Sequence, residues 1–156
     1  MKIKAIVFDV DGTLTDGGLY IGSSGEQFKK FNVKDGYGIH TILPKYNIIP
    51  IVITGRSSGI VKKRCEELEI TELHQGIIDK KSKLLEILDK YKFTLEEIAY
   101  LGDDLNDTEC MGIVGLSGCP NDALPEVKKT CDYVCSNCGG YGAAREFIDY
   151  IVSSFY

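Results

Sequence analysis

Short, nearly unbroken apolar runs alternate along this chain with helical patterns, and that alternation restricts the fold more than any other feature. Ile3 to Phe8, Ile48 to Ile53 and Ile98 to Leu101 are apolar at almost every position, as strands buried on both faces are. Pro50 stands near the start of the second run, where a strand tolerates it. Ile113 to Leu116 predicts a short fourth strand, and Asp132 to Cys135 a fifth at an edge. Between these runs, Ile60, Val61, Arg64, Cys65 and Leu68 recur at helical spacing behind Ser57-Ser58. Leu84, Leu85, Leu88 and Tyr91 form a second stripe, and Phe147, Ile148, Ile151, Val152 and Phe155 a C-terminal one. Thr94-Leu95-Glu96-Glu97 reads as a capping box. The order predicts an α/β fold, a doubly wound parallel sheet with helices on both faces.

One stretch departs from the alternation. Leu19 to Phe31 reads as two short strands around Gly22-Ser23-Ser24-Gly25, a β-hairpin inserted at about 17–33. No linker divides the 156 residues, so a single domain over 1–156 is expected. No apolar run reaches the roughly 20 residues a membrane span needs. The first apolar run ends at Asp9, too soon for a signal peptide. A formal charge of −5 argues against nucleic acid as a partner. Without a secretion signal, the six cysteines are expected as reduced thiols of a cytoplasmic protein. Cys131, Cys135 and Cys138, with Cys119 upstream, leave a zinc or redox site open as a rival reading.

In a parallel sheet, chemistry gathers just past the carboxyl ends of the strands. Those positions hold Asp9-Val10-Asp11-Gly12-Thr13, then Thr54-Gly55-Arg56, then Gly102-Asp103-Asp104-Leu105-Asn106-Asp107. Asp79-Lys80 opens a helix between the last two. Clustered carboxylates repel one another, and a divalent cation relieves that repulsion. Mg²⁺ takes oxygen ligands, usually one or two carboxylates with phosphate and water. A carboxylate beside it can attack phosphorus, and a second carboxyl can move the proton of the leaving alcohol. A hydroxyl, backbone amides and a lysine suit the remaining phosphate oxygens. The pattern therefore points to phosphoryl transfer.

The strings D-x-D-G-T at 9–13, I-T-G-R at 53–56, D-K at 79–80 and G-D-D-x-x-D at 102–107 resemble the haloacid dehalogenase-like phosphatase superfamily. The resemblance implies Asp9 as nucleophile, Asp11 as general acid and base, Thr54 as phosphate binder and Lys80 as the lysine steadying both. It implies Mg²⁺ bound by Asp9, Asp103 and the backbone carbonyl of Asp11. Asp107 is expected behind the ligands, and Asp104 either there or as a further ligand.

Length narrows the resemblance. The interval from Asp11 to Thr54 holds the hairpin and one helix, and that from Thr54 to Lys80 one helix and a short strand. Neither has room for a cap domain. Phe31-Asn32-Val33-Lys34-Asp35-Gly36-Tyr37-Gly38 and Gly139-Gly140-Tyr141-Gly142 further resemble a capless subgroup acting on phosphorylated 3-deoxy-2-keto sugar acids. That resemblance implies a homotetramer built through the hairpins, each site bordered by a neighbour. Exposed Leu19, Ile21, Phe28 and Phe31 would favour such a partner, unless the hairpin folds back on its own domain. Arg56, directly after Thr54-Gly55, resembles the enzymes of octulosonate 8-phosphate; nonulosonate 9-phosphates are the alternative. Arg64 and Arg145 are further candidates for the substrate carboxylate, or partners of Glu67 and Asp149 on their own helices. A non-catalytic tetramerisation module is the remaining alternative. The end at Tyr156 leaves little tail to reach a neighbouring site.

Overall fold

The computed structural model describes residues 2–156. Its strands are β1 (Ala5–Phe8), β2 (Tyr20–Gly22), β3 (Gly25–Phe28), β4 (Ile49–Ile53), β5 (Glu72–His74), β6 (Ile98–Leu101), β7 (Leu116–Cys119) and β8 (Tyr133–Val134). Its helices are α1 (Val33–Tyr37), α2 (Gly59–Glu67), α3 (Lys80–Tyr91), α4 (Thr108–Met111), α5 (Pro125–Thr130) and α6 (Ala143–Phe155). Six strands form one parallel sheet in the order β5-β4-β1-β6-β7-β8, while β2 and β3 pair only with each other.

Side-chain alternation on β1 explains why helices cover both faces. Ile6 and Phe8 pack into one cluster with Val61 of α2 and Phe147 and Ile148 of α6. Ala5 and Val7 face the other way, toward Leu84 and Ile87 of α3 and Val127 of α5. Burying an Ile or Phe side chain contributes roughly 1.5–3 kcal/mol, so each face is held by several such residues. Ser58 caps α2 through its hydroxyl, which accepts the backbone N–H groups of Ile60 and Val61. The capping box at Thr94 and Glu97 forms as expected, around a 3₁₀ turn.

The fourth strand is a correction. Apolar residues at 113–116 suggest a strand there, but β7 runs from Leu116 to Cys119. Gly115 is pressed against the backbone of Glu96, where a Cβ would fall 2.3 Å from the carbonyl oxygen. Its N–H goes to the carbonyls of Leu95 and Ile98. Ile113 and Val114 pack under α3 from a turn, and pairing with β6 begins only beyond them.

This topology sets the site. β1 lies between β4 and β6, so the connections leave it in both directions and a crevice opens at its carboxyl end. Phe8 is level with Val52 on one side and Leu101 on the other. Asp9, Thr54 and Gly102-Asp103 therefore emerge along one edge.

Candidate active site

Asp9 leaves β1 with its N–H still bonded to the Leu101 carbonyl, at 3.0 Å. Lys80, the first residue of α3, donates to Asp9 Oδ1 at 2.6 Å and to Asp107 Oδ1 at 2.7 Å. Asp79 caps that helix by accepting the Ser82 N–H, which holds Lys80 in the first turn. Asp107 also accepts from the Tyr100 hydroxyl at 2.8 Å and from the backbone N–H groups of Asp103 and Asp104. Gly102 makes room for it: a Cβ there would fall 2.5 Å from the Asp107 carboxyl carbon.

Asp103 stands on the other side of Asp9 and accepts from the Thr13 hydroxyl at 2.9 Å. Gly12 has φ +93°, and a Cβ at that position would lie 2.2 Å from Asp103 Oδ2. The glycine of D-x-D-G-T thus lets the β6 loop close on the β1 loop.

The electrostatics are those of a cation site. Oxygens of Asp9, Asp103 and Asp107 lie within 4.8 Å of one another. Burial, then the charge of Asp107, pushes the Asp9 carboxyl well above its usual range despite Lys80. Burial likewise pushes Asp103 up to about 6, and Asp107 and Asp104 add to it. Burial alone would lower Lys80, but Asp9 and Asp107 more than offset that and raise it. One ammonium therefore leaves negative charge uncompensated. Asp107 is committed to Lys80, Tyr100 and two backbone amides, whereas Asp9 and Asp103 each have only Oδ1 engaged, by Lys80 and by Thr13, and keep Oδ2 as a donor to a cation. The Asp11 carbonyl accepts no hydrogen bond from the described residues. Hard oxygen donors of this kind fit Mg²⁺.

The cleft over Asp9 has a volume of about 150 Å³ and is lined by Asp9, Asp11, Thr54, Gly55, Arg56, Asp104 and Asn106. The structure thus unites Asp9, Asp11, Thr54, Lys80, Asp103 and Asp107. Arg56 reaches the rim, its Nε 3.9 Å from Asp11 Oδ2. Asp104 is an exposed helix cap at the lip, accepting the Leu105 N–H at 2.6 Å.

Arg64 and Arg145 are not brought to this cleft within one chain. Arg64 donates to Glu67 Oε2 at 2.8 Å, and its head lies 5.6 Å from the Phe31 ring centre. Arg145 pairs with Asp149 at 2.9 Å. Both helical partnerships form.

Sequence reasoning passed over Lys29, Tyr100, Thr13 and Asn106. Thr13 and Asn106 lie inside the motifs already singled out, so their position was available as a signal. Lys29 follows the hairpin, and only folding brings it onto Asp11.

The described cysteines do not bring three ligand atoms together. Among the described residues, only Asp9, Asp103 and Asp107 place three such ligand atoms together. All six thiols are free, with Cys119 and Cys131 in contact at 3.3 Å. No described helix is long and apolar enough to cross a membrane.

Fold and site together define a doubly wound α/β protein with a carboxylate–lysine centre of the kind that handles phosphate. The family described as haloacid dehalogenase-like hydrolase matches residues 64–145, and the chain belongs to that family. It is 43% identical over 151 residues to 3-deoxy-D-manno-octulosonate 8-phosphate phosphatase KdsC of Escherichia coli K12, covering 97% of this chain and 80% of that protein. The crystal structure of 3-deoxy-D-manno-octulosonate 8-phosphate phosphatase from Yersinia pestis superposes with a TM-score of 0.94 at 42% identity, over 97% of this chain and 81% of that one. The enzyme from Moraxella catarrhalis, solved in complex with magnesium ion, phosphate ion and a KDO molecule, gives 0.93 at 36% identity, over 97% and 82%.

Proposed function

We propose that this protein is a Mg²⁺-dependent phosphatase of a phosphorylated 3-deoxy-2-keto sugar acid, 3-deoxy-D-manno-octulosonate 8-phosphate in preference to a nonulosonate 9-phosphate. The observation that carries this is the buried Lys80 bridge from Asp9 to Asp107 beside Asp103. It supports the reading jointly with the 43% identity to the phosphatase of that substrate. Arg56 at the cleft rim suits the carboxylate that either sugar acid carries, and the preference for the octulosonate rests on the identity to its phosphatase.

In this reading Asp9 attacks phosphorus as the bond from phosphorus to the sugar oxygen breaks. Asp11 gives that oxygen its proton, then takes one from the water that hydrolyses the aspartyl-phosphate. Lys80 holds the Asp9 oxygen and presents positive charge to the phosphate. Thr54 and the amides of the Asp9–Thr13 loop bind the phosphate oxygens where charge develops. Asp9, Asp103 and the Asp11 carbonyl would hold the Mg²⁺, which when bound supplies charge neutralisation to the phosphate. The complete set argues against a non-catalytic module.

One domain over 1–156 without a cap is part of this reading, since the Asp11–Thr54 interval holds the hairpin, short helical turns and β4. An uncovered cleft needs help with specificity. The hairpin exposes Leu19, Ile21 and Phe28 at 52, 65 and 55% and pairs with no other strand. We take it as the contact of a homotetramer whose neighbours bring Arg64 and Arg145 toward the sugar acid. A cytoplasmic setting goes with six free thiols.

The test is phosphate release from octulosonate 8-phosphate and nonulosonate 9-phosphates, compared by kcat/KM with Mg²⁺ and after chelation. Preference for the octulosonate ester, lost on chelation, is expected. Equal rates on all esters, or turnover indifferent to metal, would overturn the assignment.

A further inference from the structure

We infer that Lys29 is a positioning residue for the proton transfer to the leaving group, holding the Asp11 carboxyl in its working orientation. The inference rests on Asp11 being the general acid. Lys29 follows β3, and its Nζ donates to Asp11 Oδ1. No other hydrogen bond reaches the Asp11 carboxylate from the described residues. Arg56 Nε stands 3.9 Å from Oδ2, beyond hydrogen-bond distance. Lys29 thus fixes one oxygen and leaves Oδ2 on the Arg56 side, where the cleft is.

The lysine is itself firmly held. Its side chain is 1% exposed, and Glu26 pairs with it at 2.9 Å. Glu26 accepts from the Ser58 hydroxyl, which also caps α2. The Ser58 N–H donates to Gln75 Oε1 at 2.8 Å. A continuous set of contacts therefore runs from the start of α2 through β3 to Asp11. Burying a lysine is costly unless its charge is matched. Here one of the two carboxylates matching it is the one the reaction uses. A plain anchor for the hairpin needs only Glu26. Contact with Asp11 makes the hairpin, otherwise remote from the chemistry, a support for it.

Leaving-group dependence separates this role from a structural one, because p-nitrophenolate departs without a proton and a sugar alkoxide does not. Single-turnover release of the leaving group isolates the step. With Mg²⁺ present, Lys29→Met is expected to slow release from the sugar-acid phosphate by about 10- to 100-fold, a part of the roughly 10²–10⁴ that general acid catalysis supplies in full. Release from p-nitrophenyl phosphate should change by less than about threefold, with KM for the sugar ester little altered. In an Asp11→Asn background, Lys29→Met should add nothing further. Should Lys29→Met fail to fold, Lys29→Gln keeps a donor without the charge and should give the same contrast at smaller size. Equal losses on both esters, or an additive loss in the Asp11→Asn background, would overturn the inference. Asp11→Asn alone is the control for the underlying reading. If it shows no leaving-group contrast, the assignment of Asp11 falls; if it does and Lys29→Met does not, only the role of Lys29 falls.

Discussion

Asp107 Oδ1 lies 2.7 Å from Lys80 Nζ, and neither side chain meets solvent. The same oxygen takes the Tyr100 hydroxyl. Removing Asp107 leaves Lys80 paired with Asp9 but strands the Tyr100 hydroxyl and the backbone N–H groups of Asp103 and Asp104, at about 1–3 kcal/mol. Asp107→Ala is therefore expected to lower unfolding stability by that amount, measured in urea. Tyr100→Phe removes one donor and leaves the pair, so about 1 kcal/mol is expected.

Asp9 behaves differently under substitution. Burial and Asp107 both oppose its charge, so a neutral residue of the same shape relieves repulsion. Asp9→Asn should keep or raise the thermal midpoint of the metal-free protein while turnover falls by about 10⁴-fold or more, as for loss of a nucleophile. Calorimetry with a phosphate-release assay checks both halves. Metal-dependent turnover surviving in Asp9→Asn would sink the nucleophile assignment.

In the proposed function Asp103 and Asp9 share the metal role, and binding to the folded state alone stabilises it. At a hundredfold excess over Kd, Mg²⁺ should add about 2.7 kcal/mol to unfolding. Asp103→Ala should abolish that increment. A melting-temperature titration with Mg²⁺ reads it without any substrate.

What the sequence made legible follows from how local each signal is. β1, β4 and β6 were plain because both faces of each are buried, so nearly every residue is apolar. Their ends were plain because aspartates and a threonine break the runs at matching places. Ile113 and Val114 misled because a buried turn and a buried strand draw on the same residues; only the pressure of Gly115 on Glu96 distinguishes them. Asp107 was visible as an acid, but its four donors come from α3, β6 and the loop after β6. Lys29 was invisible because contact with Asp11, across the hairpin, is a tertiary fact.

At the far edge of the sheet, Glu72 is one carboxylate whose titration contributes to the acid behaviour of the fold. Burial alone would raise its carboxyl, but hydrogen bonds from Lys90, Tyr91 and His74 prevail and hold it at about 2. A depressed carboxyl stabilises the fold above its unfolded value near 4.5, and that stability is lost as pH falls toward 2. Lys90 is 62% exposed, so solvent screens the pair. Glu72→Gln should lower stability modestly at pH 7, and the difference should shrink between pH 4.5 and 2. Urea unfolding of both proteins at several pH values is the measurement.

In the proposed homotetramer the hairpin connects assembly to specificity. Ile21 and Phe28 are more than half exposed on a two-stranded sheet with no third strand, and such a ribbon is marginal alone in water. Replacing both with Asp puts charge where a neighbour would bury apolar surface. If the hairpin is the contact of the proposed homotetramer, light scattering should then report one subunit in place of four. The monomer keeps Asp9, Asp103 and Lys80, which come from one chain, so hydrolysis of p-nitrophenyl phosphate should persist. Arg64 and Arg145 lie away from their own cleft, so in the proposed assembly they would reach substrate only across an interface. The dissociated protein should therefore lose kcat/KM on the sugar-acid phosphate by about 10- to 100-fold, the worth of a bidentate charged contact of roughly 1.5–3 kcal/mol. Arg64→Gln in the intact assembly should do the same to the sugar ester and spare the aryl ester. Unchanged kinetics on the sugar ester in the monomer would show that each subunit builds its pocket alone.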